Sequence, residues 1–262
     1  MICFALRTLE AQAGTRTPAT VVSWGEQVIP NFRAGTKFSA LAAGDGHNLA
    51  LRVDGTVVAW GFNEQGQSMV PDGLSGVVAL AAGEVHNLAL KSDGTVVAWG
   101  VNAHGQIEVP TGLSGVVSIA AGREHSLALK GDGTVVAWGR KDYGRSLAPG
   151  ALSGVVALST HHAHSLALKS DGTVVAWGLN SKGQSTVPAG LSDVVGIATG
   201  WEHSLALKGD GTVIGWGQNY DGQSTAPADL SGVVGIDAGG MHSLALKSDG
   251  TVVAWGQGIY LQ

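Results

Sequence analysis

The octapeptide Asp-Gly-Thr-Val-Val-Ala-Trp-Gly begins at Asp54 and returns at Asp93, Asp132, Asp171, Asp210 (there as Asp-Gly-Thr-Val-Ile-Gly-Trp-Gly) and Asp249, always 39 residues on. A blurred seventh copy, Ala-Thr-Val-Val-Ser-Trp-Gly, occupies residues 19–25. A fixed period near 40 residues describes a chain of supersecondary units, none of which can bury its apolar face alone, so that stacking them makes the core. Helical periodicity is absent, and the apolar runs alternate in short stretches bounded by Gly, Asp and Pro, as strands do.

One unit, residues 75–114, reads as four short strands. Residues 77–82 form an apolar strand A, 86–91 a strand B, 95–99 a β-branched strand C, and 106–109 a short strand D before a Pro-Thr-Gly-Leu-Ser linker. Asp93-Gly94 between B and C reads as a two-residue hairpin with both residues at positive φ. Strand B places Leu88 and Leu90 on one face and Ala89 on the other, and strand C places Val97 and Trp99 opposite Val96 and Ala98. A sheet apolar on both faces must be covered on both. The expected fold is therefore all-β, a seven-bladed β-propeller of four-stranded antiparallel blades forming one domain over 1–262. Residues 1–35 form its irregular first blade and 36–262 its regular repeats. Residues 2–7 then stand for the seventh strand B, and 259–261 could supply the missing strand A. Six blades with an extra N-terminal strand is the alternative.

The unit Gly-x-x-His-Ser-Leu-Ala-Leu-Lys-x-Asp-Gly-x-Val-x-Ala-Trp-Gly, as at residues 122–139, with the ending Gly-Leu-Asn-Ser-Lys-Gly-Gln at 178–184, resembles the regulator of chromosome condensation repeat family. The match covers nearly the whole chain. The resemblance implies a seven-bladed propeller. The short period and the Val-Pro-x-Gly-Leu-Ser-Gly-Val-Val linker are similar to bacterial members, above all the propeller-type β-lactamase inhibitory proteins. That likeness favours a secreted protein, although no intact signal peptide is present: Ala11-Gln12-Ala13 looks like a cleavage site, but no basic n-region precedes it.

In an antiparallel blade the A–B and C–D turns share one end, and the B–C turn and D–A linker share the other. The copies differ almost wholly at the first end. Its A–B turns are Asp45-Gly46, Glu84-Val85, Arg123-Glu124, His162-Ala163, Trp201-Glu202 and Gly240-Met241. A constant scaffold with diverse loops at one end is how binding surfaces are built. The candidate partner-binding residues are Arg123, Glu124, Arg140, Lys141, Tyr143, His162, Trp201, Glu202, Tyr220 and Met241. Aromatic and Arg side chains are the usual anchors of protein interfaces.

The expected function is a non-enzymatic protein-binding module on a monomeric propeller, with an inhibitor of a secreted enzyme as its narrower form. Carbohydrate or surface binding, nucleotide exchange on a small GTPase, and a repeat-amplified or designed scaffold are the alternatives. No catalytic residue, cofactor or metal is expected, because no phosphate loop, nucleophile elbow or zinc-protease motif occurs. The histidines at 47, 86, 125, 164, 203 and 242 stand one per blade, far apart, as structural hydrogen-bonding groups; His161, His162 and His164 are the one local cluster with metal-ligand chemistry. A net charge of −5 speaks against nucleic acid. No run reaches the length of a membrane span, and the single Cys3 forbids an internal disulfide.

Overall fold

Each 39-residue copy folds into one antiparallel sheet. The structure, a computed structural model, describes residues 32, 36–150 and 152–258. By contacts it groups into two compact units, residues 1–131 with 138–140, and residues 132–137 with 141–262. The first three sheets are β1 (Phe38–Ala43), β2 (His47–Arg52) and β3 (Val57–Gly61); β4 (Val77–Ala82), β5 (His86–Lys91) and β6 (Val96–Gly100); and β7 (Val116–Ala121), β8 (His125–Lys130) and β9 (Val135–Gly139). The next three are β10 (Val155–Thr160), β11 (His164–Lys169) and β12 (Val174–Gly178); β13 (Val194–Thr199), β14 (His203–Lys208) and β15 (Val213–Gly217); and β16 (Val233–Ala238), β17 (His242–Lys247) and β18 (Val252–Gly256). In every sheet the middle strand is the one that begins at histidine.

The expectation of seven four-stranded blades is thus corrected to six blades of three strands among the described residues. The N-terminal segments at 2–7 and 19–25, and the tail at 259–261, lie outside the described residues. Strand D is replaced by consecutive turns. Side chains and local turns there satisfy backbone groups that a ladder would otherwise use: Asn63 Oδ1 accepts the Ser68 amide at 2.9 Å, Gln67 Oε1 accepts the Gln65 amide at 3.0 Å, and the Leu74 amide donates to the Pro71 carbonyl across a backbone turn. Asn and Pro chemistry wins over strand propensity when side chain–backbone bonds are this local.

The B–C hairpin also differs from the expected two-residue turn. The Gly94 amide donates to the Lys91 carbonyl at 3.0 Å and the Lys91 amide to the Thr95 carbonyl at 2.9 Å, while only Gly94, at φ 78°, is left-handed. This is a type I turn closed by a bulged glycine. Asp93 Oδ1 accepts both the Thr95 hydroxyl and amide, at 2.6 and 3.0 Å, and these bonds hold its carboxyl down at about 2. The constancy of Asp-Gly-Thr is thereby explained as turn chemistry.

The leucine face of one sheet packs on the alanine face of the next. In the first unit Leu49 and Leu51 of β2 pack with Val77, Leu80, Ala89 and Trp99 of the following repeat. In the second, Leu166 and Leu168 pack with Val194, Ala206 and Trp216, and Leu205 and Leu207 with Val233, Ala238 and Ala245. Leu88, Leu127, Leu166 and Leu205 are wholly buried, each contributing about 1.5–3 kcal/mol of transfer free energy. Alanine opposite leucine lets successive sheets approach closely enough to exclude water. A register shift at the start of each first strand, as between Val77 and Ala79, turns the intervening residue outward. It leaves Val78, Val117, Val156, Val195 and Val234 about half exposed at the Asp-Gly end.

Candidate functional site

The repeated polar residues form one kind of joint. His86 Nε2 lies 2.9 Å from Ser126 Oγ in the next repeat, and Ser126 Oγ donates at 2.8 Å to the Gln106 carbonyl. The same chain of bonds runs from His164 through Ser204 to Gln184, and from His203 through Ser243 to Gln223. At the joint between the first two repeats Asn87 takes the place of serine, its Oδ1 meeting His47 Nε2 at 2.6 Å and its Nδ2 donating to the Gln67 carbonyl at 2.7 Å. Because the hydroxyl proton is committed to the carbonyl, and an amide oxygen can only accept, each imidazole must donate from a proton on Nε2. The same carbonyl also accepts an indole N–H: Trp99 to Gln67, Trp138 to Gln106, Trp216 to Gln184 and Trp255 to Gln223, at 2.9–3.2 Å. Burial pushes the His86 and His164 imidazoles down to about 3 and His203 to about 4.

The histidines are therefore structural, as expected, but not far apart. His47 stands close enough to His86, and His203 to His164, to lower the proton affinity of the second ring in each pair. Among the described residues no group of three or more His, Cys, Asp and Glu is arranged to hold a metal ion. No helix of the described residues is long and apolar enough to cross a membrane.

The diverse turns sit at the opposite end of each sheet from the Asp-Gly hairpin. In the first unit they pair with one another. Arg123 Nε lies 2.9 Å from Glu84, and Glu124 meets Arg140 at 2.6 Å and His104 at 3.4 Å. Burial alone would raise the Glu124 carboxyl, but the Arg140 bond and the surrounding positive charges hold it below its ordinary range. Three of the ten candidates are thus engaged within the chain, which lessens their value as free anchors.

The second unit presents its candidates differently. Tyr143 is 66% exposed and stands at φ 56°, a left-handed conformation costly for a bulky side chain. It lies 5.4 Å from the Arg145 guanidinium, within the short 3₁₀ turn Asp142–Gly144 that remakes this loop, beside exposed Lys141. Trp201 lies over Gly240, where a Cβ would come within 3.1 Å of the indole, and 6.3 Å from the half-buried His162 ring. Tyr220 is 75% exposed, yet Lys182 Nζ donates to its hydroxyl at 3.3 Å and lies 5.3 Å from the ring centre. Glu202 and Met241 are half-buried. Among the described residues no ring contact joins Trp201 to Tyr220 or Tyr143.

Sequence reasoning missed Phe62 and Met69 of the first unit, both exposed apolar residues in a C–D loop, and Lys182, which orients Tyr220. Their only signal was that they differ between repeats. An open groove of about 440 Å³ in the first unit lies at the constant end, lined by Arg52, Val53, Asp54 and Val78, away from the candidates.

The pattern described as the Regulator of chromosome condensation (RCC1) repeat matches residues 38–67, 77–106, 116–145, 162–184, 194–223 and 233–262, six repeats in all. Among solved structures, yeast RCC1 (Prp20) with Kap60 bound shares 25% identity and a TM-score of 0.71, over 84% of this chain and 70% of that one. Prp20p from Saccharomyces cerevisiae, described with its binding properties to Gsp1p and histones, shares 24% identity over 84% of this chain and 72% of its own, also at a TM-score of 0.71. Human WBSCR16 shares 21% identity over 87% of this chain and 78% of its own, with the same TM-score. No curated protein sequence matches this chain.

Proposed function

The chain belongs to the regulator of chromosome condensation (RCC1) repeat family, and on that premise we propose that it is a non-enzymatic protein-binding module that grips its partner with the variable turns. The observation that carries the proposal is the state of the aromatic residues in the second unit. Trp201 and Tyr220 are exposed, yet each is already held, one by Gly240 and His162, the other by Lys182. An aromatic anchor fixed before binding loses little rotamer freedom on docking. Tyr143 adds an exposed ring held in a strained conformation that no other non-glycine residue of the variable turns adopts among the described residues, and such strain persists where surrounding structure holds it for a purpose. A relative, yeast RCC1 (Prp20), is seen with the protein Kap60 bound; that partner belongs to it, and the habit of engaging proteins is what carries over.

The narrower form of the proposal is inhibition of a secreted enzyme by a secreted, monomeric chain. It rests on the resemblance of the linker and the Val-Val-x-Trp-Gly strands to bacterial inhibitory propellers.

Affinity capture tests the proposal with three forms of the chain: the wild type, Trp201→Ala/Tyr220→Ala, and Lys169→Ala/Asp171→Ala at the constant end as control. Truncating one anchor costs about 2 kcal/mol, so the double variant loses its captured protein by more than about 30-fold, while the control retains it. Equal capture by all three contradicts the assignment of the face.

A further inference from the structure

We propose that the buried repeat histidines are a proton-operated latch on the variable turns: within each compact unit neutral rings hold successive repeats together, and acid parts those repeats and unseats the turns those rings adjoin. The geometry allows a proton no place in the closed state. In His47, His86, His164 and His203, Nε2 already donates to the neighbouring repeat, and Nδ1 is buried without a hydrogen-bond partner. A second ring proton would sit on Nδ1 with nothing to accept it. Glycines close that side: a Cβ on Gly44, Gly83 or Gly200 would collide with the histidine ring of its own turn.

Neighbouring imidazoles further oppose a proton on His86, His164 and His203, whereas Asn87 and Asp45 favour one on His47 and the His203 backbone favours one on His164. His47 faces His86; His161, His162 and His203 face His164; His161 and His242 face His203. Asp45, beside His47, is the one carboxylate acting on these four rings among the described residues. Each proton that entered would repel the next, so protons are taken up by opening the joint. The unfolded rings protonate near the ordinary value of about 6.5. The folded His86 and His164 resist to about 3, and His203 to about 4. Below about 6.5 the open state thus holds more protons than the closed one, and stability falls as pH falls across that window.

The rings sit directly behind the turns: Val85 precedes His86, Ala163 precedes His164 and Glu202 precedes His203. That acid also releases a partner rests on the binding role proposed above; the latch itself does not.

Urea unfolding from pH 7.5 to pH 4 tests the latch, comparing the wild type with His86→Gln/His164→Gln/His203→Gln. Glutamine keeps a neutral N–H donor and cannot take a proton. The wild-type profile falls steeply below pH 6.5, and the variant's slope is shallower by about three protons. An equal slope overturns the proposal. Should the variant not fold, ring nitrogen chemical shifts of the wild type decide. Four rings fixed as the Nε2–H tautomer, with no titration before the acid transition, support the latch; titration near 6.5 in the folded chain overturns it. Neither readout involves a partner. A failed capture experiment therefore leaves this test standing, and a flat pH profile leaves the binding proposal standing.

Discussion

Gly83→Ala lowers the urea-unfolding stability by about 3 kcal/mol, at the upper end of what overpacking usually costs. The backbone at Gly83 is not left-handed, so alanine is conformationally permitted there. Space is what forbids it. A Cβ would collide with the Gly122 carbonyl of the next repeat and lie 2.7 Å from His86 Cε1 and 2.8 Å from Nδ1. Two of these atoms belong to a buried ring bonded to Ser126, and the third is backbone, so none can swing aside cheaply. The same slot is glycine at 44, 122, 200 and 239, and histidine only at 161, where Thr160 Oγ1 donates to the His164 carbonyl at 2.8 Å. An unchanged midpoint for Gly83→Ala would show that successive repeats are not in the close contact described.

Trp216→Ala is expected to cost about 3–5 kcal/mol, and Trp216→Phe about 1 kcal/mol. The indole is 7% exposed and packs against Leu166 and Leu168 of the preceding repeat, so alanine leaves a cavity between two sheets. Phenylalanine fills most of that space and loses only the indole N–H bond to the Gln184 carbonyl, which keeps its bond from Ser204. Chemical denaturation of both variants separates packing from hydrogen bonding. Equal losses would mean that the bond, not the packing, dominates.

The period and the first three strands of each unit were legible in the sequence, because β-branched alternation and Asp-Gly punctuation repeat in phase. Strand D was not. Residues 106–109 have strand-like composition, but a side chain such as Gln106, accepting the His104 amide at 2.8 Å, satisfies the backbone locally and leaves no ladder to build. Extending the count to seven leaned on worn copies at residues 2–7 and 19–25, where pattern alone carries little weight. The Asn or Ser that follows each repeat histidine was visible. Its reason, one acceptor for the previous imidazole and one donor for a loop carbonyl, needs residues 40 and 20 positions apart to be neighbours.

Much the same holds for the candidate site. Diversity at one end of each sheet could be read directly, and it located the turns. Composition could not show that Glu84 is spent on Arg123, or Glu124 on Arg140 and His104. Nor could it show that Lys182, 38 residues before Tyr220, steadies that ring. Pairings of this kind divide variable residues into those that hold neighbours together and those left to meet a partner. On that division Tyr143, Trp201 and Tyr220 carry more of the proposed interface than Arg123 and Arg140.

The central claim is that the constant Asp-Gly-Thr-Val-Val-Ala-Trp-Gly stretches are scaffold and the diverse turns are the working surface. Amide hydrogen exchange of the chain with and without its captured partner addresses it directly. Protection is expected at residues 141–145, 162, 201–202, 218–221 and 241, with the hairpins at Asp93, Asp132, Asp171 and Asp210 unchanged. Protection confined to those hairpins, with the turns exchanging as in the free chain, would contradict the account.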